Sequence, residues 1–511
     1  MRRFVCLFAC VFVSVFASGA AHAQTAAPVP TQTLHIALRE DVDMMDPTLA
    51  RSYVGRIVFA GLCDKLFDIN EKLEIVPQLA TSYDWVDSKT LVIHLRAGVL
   101  FHDGTALDAA AAKYSLERHL TMQGSSRRGE IASIDQVQIV DPLTIRLVLK
   151  APSSPLLAQL TDRAGMMVSP KAAEAAGKDF ALHPVCAGPF QFTERVAQDR
   201  IVLDRFPQYW NAAAIHFARV IYQPIVSSSV RLANLQAGAI DLSEQIVPTD
   251  VDAVRADKRL RLVQSPALGY NSINLNVNHG PAADTPFGHD ARIRRAFALS
   301  IDRAALVQVV YNGMYDPIDQ AVPPGSPFYD ANLPAPPRDV AKAKALLAEA
   351  GVKLPVKVTI TLSPSPDLLQ LGEVIQSMAA EAGFEVKLLA TETSALLDAG
   401  DRGDFQGMMI YWSGRADADG NLWNFVHSGG PLNYPGYSNK DVDGWLEQAR
   451  EVTDIPARRA LYAKVAEQTA QDMPIMYLFT PKNLVGLSAK LTGFVPVPDG
   501  LIRIQGMAMQ P

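Results

Sequence analysis

The sequence predicts an α/β protein with at least two domains, and three observations carry this. Its 511 residues exceed what one hydrophobic core usually serves. Between residues 342 and 389, helix-spaced and strand-spaced stretches follow one another as helix, strand, helix, strand, the order of an α/β unit. The composition, 49% hydrophobic and 20% charged, is that of a globular protein and excludes collagen, low-complexity disorder and a disulfide-dense mini-protein.

The elements follow in chain order. Leu34 to Leu38 has strand-like alternation and opens the structured part after a Pro-, Ala- and Thr-rich stretch at 24–33. Leu91 to Arg96 alternates apolar and other residues imperfectly up to Gly98, which predicts a half-buried strand. After the turn residues His102-Asp103-Gly104, Ala106 to Leu120 has helical spacing with Ala110, Tyr114, Leu116 and Leu120 inward. Thr144 to Leu149 is a further strand, stopped by Pro152 and Pro155. Asp290 to Asn312 is expected as one helix, with Ile293, Ala296, Phe297, Ile301 and Ala304 on its inner stripe and Gly313 past its end. Lys342 to Ala350 is a helix ended by Gly351, Val356 to Leu362 a strand, Leu368 to Ala382 a helix and Phe384 to Leu389 a strand. Pro323 to Pro337 is expected as a long surface loop. No repeat at a solenoid period is present.

Arg2 and Arg3, the apolar run Phe4 to Phe16 and Ala21-His22-Ala23 form the pattern of a secretory signal peptide cleaved after Ala23. The 13 residues of that run fall short of the roughly 20 needed to span a bilayer. Residues 1–23 are therefore expected to be removed, leaving a periplasmic chain. Cys63 and Cys186 follow the leader, and in an oxidising compartment two cysteines suggest one bridge, two buried thiols being the alternative. The net charge of −6, without a basic tract, makes nucleic acid a poor partner, because that affinity rests on phosphate neutralisation.

The motifs of common chemistry are absent: no G-x-S-x-G elbow, H-E-x-x-H helix, Walker loop or Rossmann fingerprint occurs. His102 beside Asp103 is better explained as part of a turn than as an acid–base pair. Asp417 and Asp419 could serve a secreted hydrolase as paired carboxylates, or a metal, yet no second ligand set stands at a diagnostic spacing. The weight moves to a protein that works by binding, with no cofactor.

Several segments, in order, resemble the family-5 extracellular solute-binding proteins, the peptide- and nickel-binding class that feeds ABC importers. They are Pro77-Gln78-Leu79-Ala80, Leu95-Arg96-Ala97-Gly98-Val99-Leu100-Phe101-His102-Asp103-Gly104, and Cys186-Ala187-Gly188-Pro189-Phe190, where Cys and Ala replace the Gly and Thr of the family's GTGPF turn. Tyr209-Trp210, Leu235 to Asp241, Arg292 to Ala296 and Ile301-Asp302-Arg303 continue the match. The resemblance implies a two-lobed periplasmic binding protein fold of type II, in the large peptide-binding cluster C, with a hinge. It implies a larger lobe of residues 24–275 plus 481–511 and a second lobe of 276–480. The partners it implies are a small peptide-like or carboxylate-bearing solute and an inner-membrane ABC permease, the protein itself being a monomer. Capture of nickel or haem on the same scaffold is an alternative that sparse histidines disfavour.

The same resemblance points to the cleft. Peptide-binding relatives place an Asp for the ligand's α-ammonium after a W-x-G unit, where this chain has Trp412-Ser413-Gly414-Arg415. A guanidinium there repels an ammonium and can grip a carboxylate with two parallel hydrogen bonds; an internal pair with Asp417 or Asp419 is the other reading of Arg415. Trp412 is a candidate for packing on ligand or in the core. Ser52 and Tyr53, after Asp46-Pro47 and Arg51, are expected on the opposite wall, and Asn271, with Asn274, near the crossing between lobes.

Overall fold

The computed structural model describes residues 30–510; the leader and its expected cleavage point after Ala23 lie outside the described residues. Two large sheets organise the chain. The first has seven strands in the spatial order Leu260–Pro266, Lys482–Ser488, Leu242–Ser243, Thr33–Leu38, Arg219–Pro224, Arg200–Arg205, Phe190–Val196. The second has six, in the order Asp316–Pro317, Ile475–Thr480, Tyr270–Leu275, Gly407–Trp412, Val356–Leu362, Phe384–Ala390. We call the units on these sheets the first and second lobes. A four-stranded antiparallel sheet, Ala80–Asp87, Thr90–Leu95, Thr144–Leu149 and Ile134–Asp141, extends the first lobe over its own apolar cluster.

Periodicity explains most elements. In Val356–Leu362 the side chains of Val358, Ile360 and Leu362 are buried while Lys357 is exposed, and each such apolar side chain contributes about 2 kcal/mol on burial. The helix expected from Ala106 begins instead at Ala109, because the Asp108 carboxylate accepts the amides of Ala110 and Ala111. That register buries Ala109, Ala112, Leu116 and His119 and leaves Ala110 exposed. The single helix expected over 290–312 is two, Ala291–Leu299 and Arg303–Tyr311. Asp302 caps the second through the amide of Ala305, which turns Ala304 out to solvent. Residues 323–337 form a loop without helix or strand.

The chain passes between the large sheets at 267–269 and again at 481, and strand Tyr270–Leu275 stands inside the second sheet. The first passage lies backbone against backbone on residues 412–414: Leu268 bridges Gly414, and a Cβ on Gly269 would meet the Trp412 carbonyl oxygen at 1.7 Å. Gly414, at φ 78°, makes the matching turn. In the first lobe Cys63 and Cys186 form a disulfide, with their Cα atoms 4.9 Å apart. Its loop spans 123 residues, for which chain entropy gives about 4–5 kcal/mol of stabilisation. Among the described residues no helix is long and apolar enough to cross a membrane.

Candidate functional site

Parallel strands aim their carboxyl ends at one place. In the first lobe Thr33–Leu38 runs parallel to both Arg219–Pro224 and Leu242–Ser243. In the second, Val356–Leu362 runs parallel to Phe384–Ala390 and Gly407–Trp412. Loops leaving such ends are where α/β sheets place ligands. Here they meet at the seam between lobes around a cavity of about 120 Å³. Arg39, Glu40, Ser52, Tyr53, Arg231 and Gln245 line it from the first lobe, and Asn271, Tyr311, Ser363, Asp367, Thr393 and Tyr411 from the second.

Most cavity charges are paired internally. Arg39 donates from Nε and Nη2 to Glu244 at 2.7 and 2.8 Å. Its guanidinium lies 5.0 and 5.1 Å from the ring centres of Tyr53 and Tyr411. Those two rings meet edge-on across the seam at 5.5 Å. Arg51 donates to Asp398 at 2.8 Å and to Asp401, both of the second lobe. Ser52 caps helix Tyr53–Leu62 and donates to Asp43 at 2.6 Å, and the Tyr53 hydroxyl donates to the Gly500 carbonyl at 2.9 Å.

Two cavity groups are different. Arg231 is buried and spends Nη1 on the carbonyls of Ile225 and Val226. Its Nε has no acceptor, and among the described residues no carboxylate lies within ion-pair distance; Glu244, Asp367 and Asp250 act from further off. Desolvation holds the Arg231 guanidinium below the usual arginine range. Glu40 accepts one hydrogen bond, from Thr393 across the seam at 2.5 Å. Desolvation pushes its carboxyl up to about 7, despite the opposing Thr393 bond and the nearby Arg39.

The expected site residues divide between this cavity and its surroundings. Ser52, Tyr53 and Asn271 line it; Asn274, on the same strand as Asn271, does not. Trp412 is a core residue, its indole N–H donating to Asn421 at 2.9 Å. Arg415 stands outside the cavity wall, because the turn at Gly414 lays its guanidinium over Trp412, 4.4 Å from the ring centre, with Nε 3.0 Å from Asp162 of the first lobe. Neither expected internal partner is used. Asp417 binds Arg458 at 2.7 and 2.8 Å, and Asp419 binds Arg450 at 2.7 and 2.9 Å. These two carboxylates are therefore committed to arginines rather than poised as a reactive pair. His102 donates from Nε2 to the Gly188 carbonyl and packs on Phe206, while burial brings it down to about 4. Among the described residues no group of three or more His, Cys, Asp or Glu is placed to hold a metal ion.

Sequence reasoning missed Arg39, Glu40 and Arg231. The available signal was positional: Arg39-Glu40 directly follows the apolar strand Thr33–Leu38, and Arg231 lies just beyond the end of Arg219–Pro224.

Comparison with known proteins agrees with this architecture. The chain is similar to the glutathione-binding protein GsiB of Pectobacterium atrosepticum, 30% identical with 96% of each chain covered. Among solved structures it is similar to the periplasmic binding protein DppA of Helicobacter pylori in complex with the peptide STSA, at 25% identity and a TM-score of 0.85, covering 94% of this chain and 99% of that one. The murein tripeptide binding protein MppA of Escherichia coli shares the fold at 23% identity and a TM-score of 0.87, with 94% and 98% covered. Residues 74–433 match the family model described as bacterial extracellular solute-binding proteins, family 5 middle. The chain thus belongs to the family-5 bacterial extracellular solute-binding proteins and has their two-lobed α/β fold.

Proposed function

We propose that this chain is the periplasmic substrate-binding component of an ABC importer, acting as a monomer by binding alone. It holds a small peptide-like solute in the seam cavity and delivers it to the membrane permease. The lobes divide at 267–269 and 481, and the two passages between them form the hinge. Arg231 grips a carboxylate of the solute and Glu40 faces its ammonium, while Tyr53, Asn271 and Tyr411 close around it. The observation that carries this is the meeting of six parallel strand ends at a cavity whose buried Arg231 has, among the described residues, no carboxylate within ion-pair distance. Glutathione and peptides, bound by the similar proteins, are the first solutes to try. Contacts from both lobes are complete only when the lobes are closed, so the solute shifts the population towards that form.

Calorimetric titration of the purified chain with glutathione and a dipeptide panel tests this. At least one carboxylate-bearing solute should bind, and Arg231→Met should weaken it about 10- to 100-fold, the loss of one or two charge-assisted hydrogen bonds. Glu40→Gln, which keeps the shape of the side chain, should weaken solutes with a free ammonium and spare their N-acetylated forms. Unchanged affinity in both variants would place the solute elsewhere.

A further inference from the structure

Behind the Tyr53–Tyr411 ring pair lies a second charged region of the seam. Arg56, one turn along the helix capped by Ser52, reaches Ser413 of the second lobe at 2.7 Å and Asp162 at 2.6 Å. Arg415 approaches the same Asp162 oxygen at 3.0 Å and Glu130 at 3.9 Å. Arg127 donates to Glu130 at 2.5 Å and to the Ala50 carbonyl at 3.2 Å, and Arg163 donates to that carbonyl at 2.8 Å and to Ser52 at 3.4 Å. All six side chains are buried. Four guanidiniums thus share two close carboxylates, with Asp499 acting on Arg56 from further off.

A structural ion-pair network balances its charge and spends its donors, because an unpaired buried ion costs several kcal/mol. This one does neither. Among the described residues, Nε of Arg56, Arg127 and Arg163, and both Nε and Nη2 of Arg415, have no hydrogen-bond acceptor. Asp162 Oδ2, although flanked by two guanidiniums, receives no well-directed hydrogen bond, and Glu130 Oε2 receives none. Desolvation, with crowding by Arg127 next, holds Arg163 well below the usual arginine range. Arg415 is the sole second-lobe member of the six, so the cluster separates when the lobes part, and it adjoins the cavity through Ser52, which lines the cavity and whose carbonyl Arg163 reaches.

We infer that Arg56, Arg127, Arg163 and Arg415 form a second anion subsite of the same cleft, which takes a further acidic group of the solute, carboxylate or phosphate, between Arg415 and the first-lobe arginines as the lobes close. The preferred solute therefore carries two separate negative groups. This rests on the cleft being the solute site, and it places the second group past the Tyr53–Tyr411 pair from Arg231.

Titrations with Ala-Gln, Ala-Glu and Ala-phosphoserine test it. Ala-Glu or Ala-phosphoserine should bind the wild-type chain at least tenfold tighter than Ala-Gln, and which of the two is tighter separates carboxylate from phosphate. Arg415→Gln should abolish the preference while leaving Ala-Gln affinity within about twofold. Asp162→Asn, which removes the competing internal carboxylate, should widen the preference, whereas a purely structural cluster gives no gain. Equal affinities for the three dipeptides, or a preference that survives Arg415→Gln, would overturn the second subsite alone. If none of the three, nor glutathione, binds the wild type, the cleft assignment falls and the subsite with it.

Discussion

The cavity and the arginine cluster are two neighbouring stretches of one seam, and they handle charge in opposite ways. Around the cavity, Arg39 has Glu244 and Arg51 has Asp43, Asp398 and Asp401, so that Arg231 alone is left without a close carboxylate. In the cluster, Asp162 and Glu130 serve four guanidiniums at once. The difference teaches where the protein has finished its own electrostatics and where it has left them open. A paired guanidinium positions loops; an underserved one in a dry environment is a demand for an anion.

The comparison can be broken most forcefully at Asp162. Replacing it by Ala leaves four buried guanidiniums with Glu130 as their one close carboxylate among the described residues, and denaturant unfolding should show a loss of about 3–5 kcal/mol. A loss under about 1 kcal/mol would mean that the cluster is better solvated than its burial implies. Glu40 sharpens the other side. Its folded-state carboxyl sits at about 7 against an ordinary 4.5, so the folded form holds a proton that the unfolded chain has released. Stability is then full below about pH 4.5 and falls as pH rises towards 7, by at most about 3 kcal/mol because the cavity side of Glu40 is open to water. Asp64 and Asp319, raised by burial to about 7 and about 6, slope the same way. The difference between wild type and Glu40→Gln across pH 4.5–8 isolates the Glu40 share, and parallel curves would remove it. The smallest effect belongs to Tyr53→Phe, which deletes the hydrogen bond to Gly500 and should cost about 1 kcal/mol in chemical unfolding, with the edge-on contact to Tyr411 retained.

Much of this was legible in the sequence, for identifiable reasons. Alternation found Val356–Leu362 and Thr144–Leu149 because burial on a sheet face is a local, period-two property. The strand Tyr270–Leu275 was expected in the larger lobe but pairs within the second sheet, and no local pattern tells a strand which sheet it will join. Ser52 and Tyr53 reach the cavity because they start a helix at the seam. Arg415 was expected to grip a solute carboxylate or to pair with Asp417 or Asp419, yet its partner is Asp162, 253 positions earlier in the chain and in the other lobe, a pairing that no local pattern announces. Arg231 was invisible for the converse reason: what marks it is the lack of a nearby carboxylate, and an absence in space has no trace in sequence.

The central claim is that the seam itself is the solute site. Hydrogen–deuterium exchange on the full chain, with and without a saturating amount of the tightest binder among glutathione and the dipeptides, addresses it most directly. Protection should rise in 39–56, 226–245, 363–368 and 407–415, on both lobes together. Protection confined to one lobe, or to the outer sheet at 80–95 and 134–149, would contradict it.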